Sequence, residues 1–207
     1  MSGPRQLALP LPHRTALGRE DFLVTPCNAA AVAWLDRWPD WPMGGLVVWG
    51  PAGCGKSHLG EVWRGRAGPA DLLLDDADRI DDERAFLHRL NSARERGRAT
   101  LLLAREPPSR WAVALADLRS RLLALPAVAV GAPDDALLAA VLVKLFADRG
   151  VAVGDDVISF LLARMERTFA AAGRLAEAID RAALAERRPV TLPMARRVLG
   201  SLADREP

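Results

Sequence analysis

Short unbroken apolar runs alternate with stretches of helical period through the first two thirds of the chain, and the last third reads as helices alone. Leu46-Val47-Val48-Trp49 is continuous and ends in glycine, the pattern of a strand buried on both faces of a parallel sheet. Leu72-Leu73-Leu74 repeats it and runs into Asp75 and Asp76. Thr100-Leu101-Leu102-Leu103 and Val128-Ala129-Val130 complete a set of four predicted strands. Between them the period changes to 3.6. Helices are predicted over 56–66, 82–96 (stopped by Gly97) and 115–124, with an earlier one over 25–38 that carries Pro26 at its first position. Strands alternating with helices imply an α/β fold with a parallel sheet covered on both sides. After Gly131 only helices are predicted: 134–149, 155–164, 170–187, and a last one capped by Thr191 and ending at Gly200. These form a helical lid.

The most specific chemical signal sits between the first strand and the helix after it. Gly50-Pro51-Ala52-Gly53-Cys54-Gly55-Lys56-Ser57 fits GxxxxGK[ST], followed by His58. Glycines let the backbone curl so that its N–H groups face a phosphate, and the helix N-terminus adds the positive end of its dipole. Lys56 is expected to neutralise the β- and γ-phosphates and Ser57 to ligate Mg²⁺. Lys56 and Lys144 are the only lysines in a chain that otherwise uses arginine. The apolar strand 72–74 brings Asp75 and Asp76 to the carboxyl edge of the sheet. Asp75 is expected to hold Mg²⁺ and Asp76 to orient an attacking water. ADP or ATP with Mg²⁺ is the expected ligand.

Composition adds exclusions. Half of the 207 residues are apolar, ordinary for a folded domain, and a formal charge of +2 gives no argument for nucleic acid. Cys27 and Cys54 are too few for a disulfide framework. His13, His58 and His88 lack metal-ligand spacing. No apolar stretch approaches the roughly 20 residues of a membrane span, and the N-terminus lacks a signal core, so a cytoplasmic protein is expected.

Three motifs in order, GPAGCGKSH, LLLDDAD and Asp117-Leu118-Arg119-Ser120-Arg121-Leu122, resemble the AAA+ domain of the DnaA replication initiators, and more closely the shorter Hda regulators that inactivate DnaA. The resemblance covers about residues 20–200 and includes the lid. It implies an extended tail at 1–19, an AAA+ core at 20–132 and a lid at 133–207. It also implies that Arg121, rather than Arg119, is an arginine finger that reaches a nucleotide on a neighbouring subunit, a task suited to a fixed cationic fork. The proline-rich tail Gln6-Leu7-Ala8-Leu9-Pro10-Leu11 resembles the peptide with which bacterial proteins bind the sliding clamp, the polymerase β subunit. Leu9 and Leu11 both precede prolines and are biased towards extended conformations. The implied function is a clamp-dependent regulator that stimulates hydrolysis of DnaA-bound ATP. The alternative is an AAA+ loader or recruitment factor for another replication protein.

Departures from the family pattern modify that picture. Nineteen residues separate Gly55 from Asp75, leaving no room for the family's edge strand and its helix, so a four-stranded sheet is expected. Ala104 stands where a γ-phosphate-sensing polar residue is usual, and Ala170-Ala171-Ala172 where DnaA has a lid arginine, with Arg167 and Arg174 as the nearby cations. Slow hydrolysis is the expectation. No helix-turn-helix follows the lid, so sequence-specific DNA binding is not expected.

Overall fold

A computed structural model describes residues 24–203. The tail residues Gln6, Leu7, Leu9, Pro10 and Leu11 lie outside the described residues. Strand β1 (Gly45–Trp49) is central, β2 spans Leu72–Leu74, β3 Thr100–Ala104 and β4 Ala127–Ala129. All pair in parallel in the order β2-β3-β1-β4, with β1 in register against β3 from Gly45↔Thr100 to Trp49↔Ala104. The sheet therefore has the four strands expected from the short connection before Asp75.

Alternation along the strands builds two cores. Leu46, Val48, Leu101, Leu103 and Val128 face helices α1 (Ala29–Asp36) and α2 (Lys56–Ala67), where they meet Leu35, Leu59 and Trp63. Val47, Leu102 and Ala104 face the other way, towards α3 (Glu83–Glu95) and α4 (Ala116–Ala124), and pack with Leu90, Trp111, Leu118 and Leu122. Successive residues of a strand point to opposite faces, so an all-apolar strand feeds both layers at once. Trp41 stacks on Trp63 at 5.4 Å between ring centres and donates its indole N–H to the Trp34 carbonyl at 2.7 Å.

Local rules set most boundaries. Asp82 caps α3 by accepting from the N–H groups of Arg84 and Ala85 at 2.9 and 3.0 Å, and Gly97 ends the turn after it at φ +62°. The lid consists of α5 (Asp135–Asp148), α6 (Asp155–Leu162), α7 (Phe169–Glu186) and α8 (Leu192–Ala203). Asp134 caps α5 through Leu137 N–H at 2.8 Å, and Thr168 caps α7 through Ala171 N–H at 3.1 Å. The lid encloses its own core around Leu142, Phe146, Leu161, Leu175 and Ile179, separate from both layers of the sheet.

Several boundaries differ from the sequence reading, three of them at helix ends where the reason is visible. Pro26 lies in a turn in which Asn28 and Ala29 N–H donate to the Thr25 carbonyl, and regular helix begins only at Ala29. Trp38 falls beyond α1, whose end is marked by N–H bonds of Arg37 to Trp34 and Leu35 carbonyls. At the other end α8 passes through Gly200 to Ala203, because that glycine keeps a helical conformation rather than the positive φ of a C-cap.

Candidate functional site

The loop 50–55 leaves the carboxyl end of β1 and enters α2. Gly53 and Gly55 take φ +72° and +94°, in the left-handed region that a side chain disfavours. Lys56 is buried, and its Nζ donates to the carbonyls of Gly50 and Pro51 at 2.8 and 2.9 Å and approaches Cys54 Sγ at 3.8 Å. Burial pushes the Cys54 thiol above its ordinary pKa, and the Lys56 charge offsets part of that rise. Pro51 and Ala52 are exposed at the top of the loop, and His58 is half-buried on α2.

The two strand-end acids meet the loop as expected from their position. Ser57 Oγ donates to Asp75 Oδ2 at 2.6 Å, and Asp75 Oδ1 accepts from the Asp76 N–H at 2.9 Å. Asp76 adopts φ +47° and lies 3.6 Å from Arg105 Nε. Among the described residues no cluster of three His, Cys, Asp or Glu side chains forms a metal cage. A hydroxyl and one carboxylate fit Mg²⁺, which keeps several waters and completes its shell with phosphate oxygens.

The lid reaches this loop directly. A Cβ built on Gly53 would lie 2.8 Å from Thr168 Cβ, and one on Gly55 would lie 2.8 Å from Phe169 Cε2. Phe169 N–H donates to the Gly53 carbonyl at 3.3 Å. The amino terminus of α7 thus abuts the phosphate loop through Thr168 and Phe169. Neither residue stands out in the sequence, because the expected lid contact is a cation; the cap signal of Thr168 is the clue that marks this end of the helix. The cations nearby are engaged within the lid. Arg167 bonds Asp135, which raises its pKa, and Arg174 lies 3.5 Å from Glu166.

The Asp-Leu-Arg-Ser-Arg-Leu element forms most of α4. Arg119 Nε donates to the Val113 carbonyl at 3.0 Å, and its Nη2 bonds the same oxygen, so this guanidinium secures the segment entering the helix. Arg121 has a looser, exposed pair with Asp117, at 3.0 Å from Nε to Oδ1 and 3.4 Å from Nη2 to Oδ2. Arg121 borders a recess lined also by Gly45 and Thr100, the first residues of β1 and β3. It sits at the amino edge of the sheet, whereas the phosphate loop follows the carboxyl edge. At about 3.3 Å per residue, the five residues of β1 put about 16 Å between those edges.

Residues 135–199 match a family model described as the lid domain of Hda. Among solved structures, domain III of the Thermotoga maritima replication initiation protein DnaA aligns with a TM-score of 0.77 at 15% identity, covering 92% of this chain and 98% of that one. AMPPCP-bound DnaA from Aquifex aeolicus aligns at 0.64 and 15% identity, over 83% of this chain and 66% of that chain. The chain carries an Hda-type lid on a DnaA-like AAA+ fold. The Thermotoga maritima RuvB Holliday junction branch migration motor shares the architecture more loosely, at a TM-score of 0.56 and 16% identity over 76% of this chain and 61% of that one. No curated protein matches the chain by sequence. Among the described residues, β2 is an edge strand of the sheet. No helix among the described residues is long and apolar enough to cross a membrane.

Proposed function

We propose that the protein is an Hda-like regulator of replication initiation, which binds ADP or ATP at the phosphate loop and presents Arg121 to ATP held on DnaA. The observation that carries this reading is the Hda-type lid joined to a DnaA-like core. Several features of the site support the division of labour. Gly50, Gly53, Gly55 and Lys56 form a phosphate cradle, and Ser57 and Asp75, in contact at 2.6 Å, would hold Mg²⁺. Mg²⁺ bound there would neutralise charge developing on those phosphates. Asp76 is the residue that would orient water, but Arg105 lies against it and Ala104 offers no side-chain hydrogen bond. Intrinsic hydrolysis is accordingly slow, and nucleotide acts mainly to shape the domain.

Arg121 is about a strand's length from this chain's own loop, so its guanidinium acts on another subunit's nucleotide. A fixed fork aimed at a transferring phosphoryl group stabilises the charge that develops there. The tail residues Gln6, Leu7, Leu9, Pro10 and Leu11 bind the sliding clamp as an extended peptide and hold the protein near newly replicated DNA.

The test is the rate of hydrolysis of DnaA-bound ATP with clamp loaded on DNA, with and without this protein. Stimulation is expected, and Arg121→Ala is expected to reduce it by about a hundredfold or more while nucleotide binding survives. No stimulation with the cognate DnaA and a folded, nucleotide-binding protein would overturn the reading.

A further inference from the structure

The recess beside Arg121 is rich in arginine and poor in acid. It has a volume of about 540 Å³ and is lined by Arg94, Arg98 and Arg121 together with Trp38 and Met43. Arg94 closes the last turn of α3, and Arg98 follows one residue after Gly97. Both are exposed, and among the described residues their side chains make no hydrogen bond or ion pair. Several exposed arginines outside the recess pair with acids, as in Arg66–Asp36, Arg110–Glu106, Arg181–Glu177 and Arg197–Glu186. The recess wall holds a single acid, Asp71, and its Oδ1 accepts from the Ala99 N–H at 2.9 Å. Arg121 is offset only by its exposed pair with Asp117. Positive charge is therefore left uncompensated in a concave site, where low-dielectric walls focus the field.

Apolar side chains share the lining and are accessible. Met43 is 52% exposed, and Trp38 is half-buried beside it. Arginine, tryptophan and methionine together, with lysine and acid sparse, is the composition of a protein–protein contact. We propose that this recess is the docking seat for an acidic segment of the partner AAA+ subunit, with Arg94 and Arg98 as positioning residues that set the partner so that Arg121 reaches its nucleotide. The inference rests on the reading of Arg121 as a finger acting in trans. Charge complementarity selects the partner: two unpaired guanidiniums on the rim attract carboxylates, and the apolar lining accepts the side chains between them. Arg94 and Arg98 touch no nucleotide. They act on affinity and orientation, whereas Arg121 acts on the reaction.

That division predicts a split between concentration dependence and maximal rate. Stimulated hydrolysis of DnaA-bound ATP is measured against the concentration of this protein, at two salt concentrations, for the full chain and its variants. Arg94→Ala with Arg98→Ala is expected to raise the half-maximal concentration about tenfold, leave the maximum unchanged and flatten the salt dependence. Arg94→Glu with Arg98→Glu shifts it further, and Arg94→Lys with Arg98→Lys restores most of the wild-type behaviour. Arg121→Ala removes the maximum without that shift. Curves for the double alanine variant that superimpose on wild type, or a lowered maximum with no shift, overturn the proposal. If the wild type gives no stimulation, the functional reading itself has failed; direct binding of DnaA to wild type and to the double glutamate variant then decides the seat, and equal binding overturns it.

Discussion

Three glycines, one in the phosphate loop and two in the helix that follows it, stand in environments that set the sign and size of a single added methyl group. A Cβ on Gly50 would lie 2.2 Å from the Val130 carbonyl oxygen and 3.1 Å from Cys54 Sγ. The first obstacle is backbone. Val130 is 1% exposed, and its N–H is fixed to the Trp49 carbonyl at 2.7 Å, so the chain leading to the lid must shift by about 1 Å to clear it. Overpacking of that kind costs about 3 kcal/mol. On Gly60 the obstacles are side-chain ends, Leu103 Cδ1 at 2.8 Å and Leu73 Cδ1 at 3.2 Å. There the gain in helix propensity, about 1 kcal/mol, offsets part of the crowding, and a net loss of about 1 kcal/mol is expected. Gly65 meets nothing within 4 Å and lies in α2, so alanine there stabilises by about 0.5–1 kcal/mol. All six tryptophans, from Trp34 to Trp111, belong to the α/β core, so urea unfolding followed by their fluorescence reads this part of the molecule without the lid. With a slope of about 2 kcal/mol per molar, the midpoint falls by about 1.5 M for Gly50→Ala and rises slightly for Gly65→Ala. A Gly50→Ala midpoint within about 0.3 M of wild type, or a Gly65→Ala protein less stable than Gly60→Ala, would refute the packing argument.

Lys56→Ala removes the loop's buried cation and orphans two carbonyls, so ATP affinity is expected to drop by about a hundredfold, and stability by about 1–2 kcal/mol; titration with a fluorescent ATP analogue alongside thermal unfolding reads both. Asp75→Asn leaves Ser57 with a neutral partner and is expected to abolish most of the Mg²⁺ dependence of ATP binding, measured by calorimetry with and without the ion. The raised pKa of buried Cys54 makes its thiolate scarce, so at pH 8 Cys54 is expected to react with iodoacetamide more slowly than partly exposed Cys27, a difference that vanishes in urea and is read by peptide mass spectrometry. The sign for stability follows from the same shift. The folded state holds this proton more tightly, so its contribution is full below the unfolded thiol value and is lost as pH rises through the higher folded one; Cys54→Ala is expected to flatten the alkaline limb of the stability profile.

The central strands are legible because each carries a run of apolar residues that feeds both faces of the sheet, as Val47 and Val48 do in opposite directions. The Ser57–Asp75 contact is legible for a related reason: strand β2 ends in an acid beside a loop that must follow β1. What the sequence hides is tertiary. Thr168 and Phe169 reach Gly53 and Gly55 across more than a hundred residues of chain, and no local period marks a side chain for such a contact. The resemblance picks Arg121 over Arg119, but only the structure shows why they differ: Arg119 is tied to the Val113 carbonyl, and Arg121 is left at a recess. Arg94 and Arg98 read as ordinary helix-end cations, because nothing local says that their acids are missing. The late start of α1 at Ala29 reflects a turn closed on Thr25, a choice that Pro26 alone does not dictate.

The phosphate loop and Arg121 occupy opposite edges of the sheet, and this gives the molecule a head and a tail. A contact between the tail of one AAA+ subunit and the head of another is heterologous: it uses two different surfaces and cannot be made mutual by a twofold axis. A subunit that offers Arg121 to a neighbour keeps its own loop face uncovered, ready for a third. Association of this kind continues until the rotation between subunits closes a ring or until the next subunit lacks a compatible face.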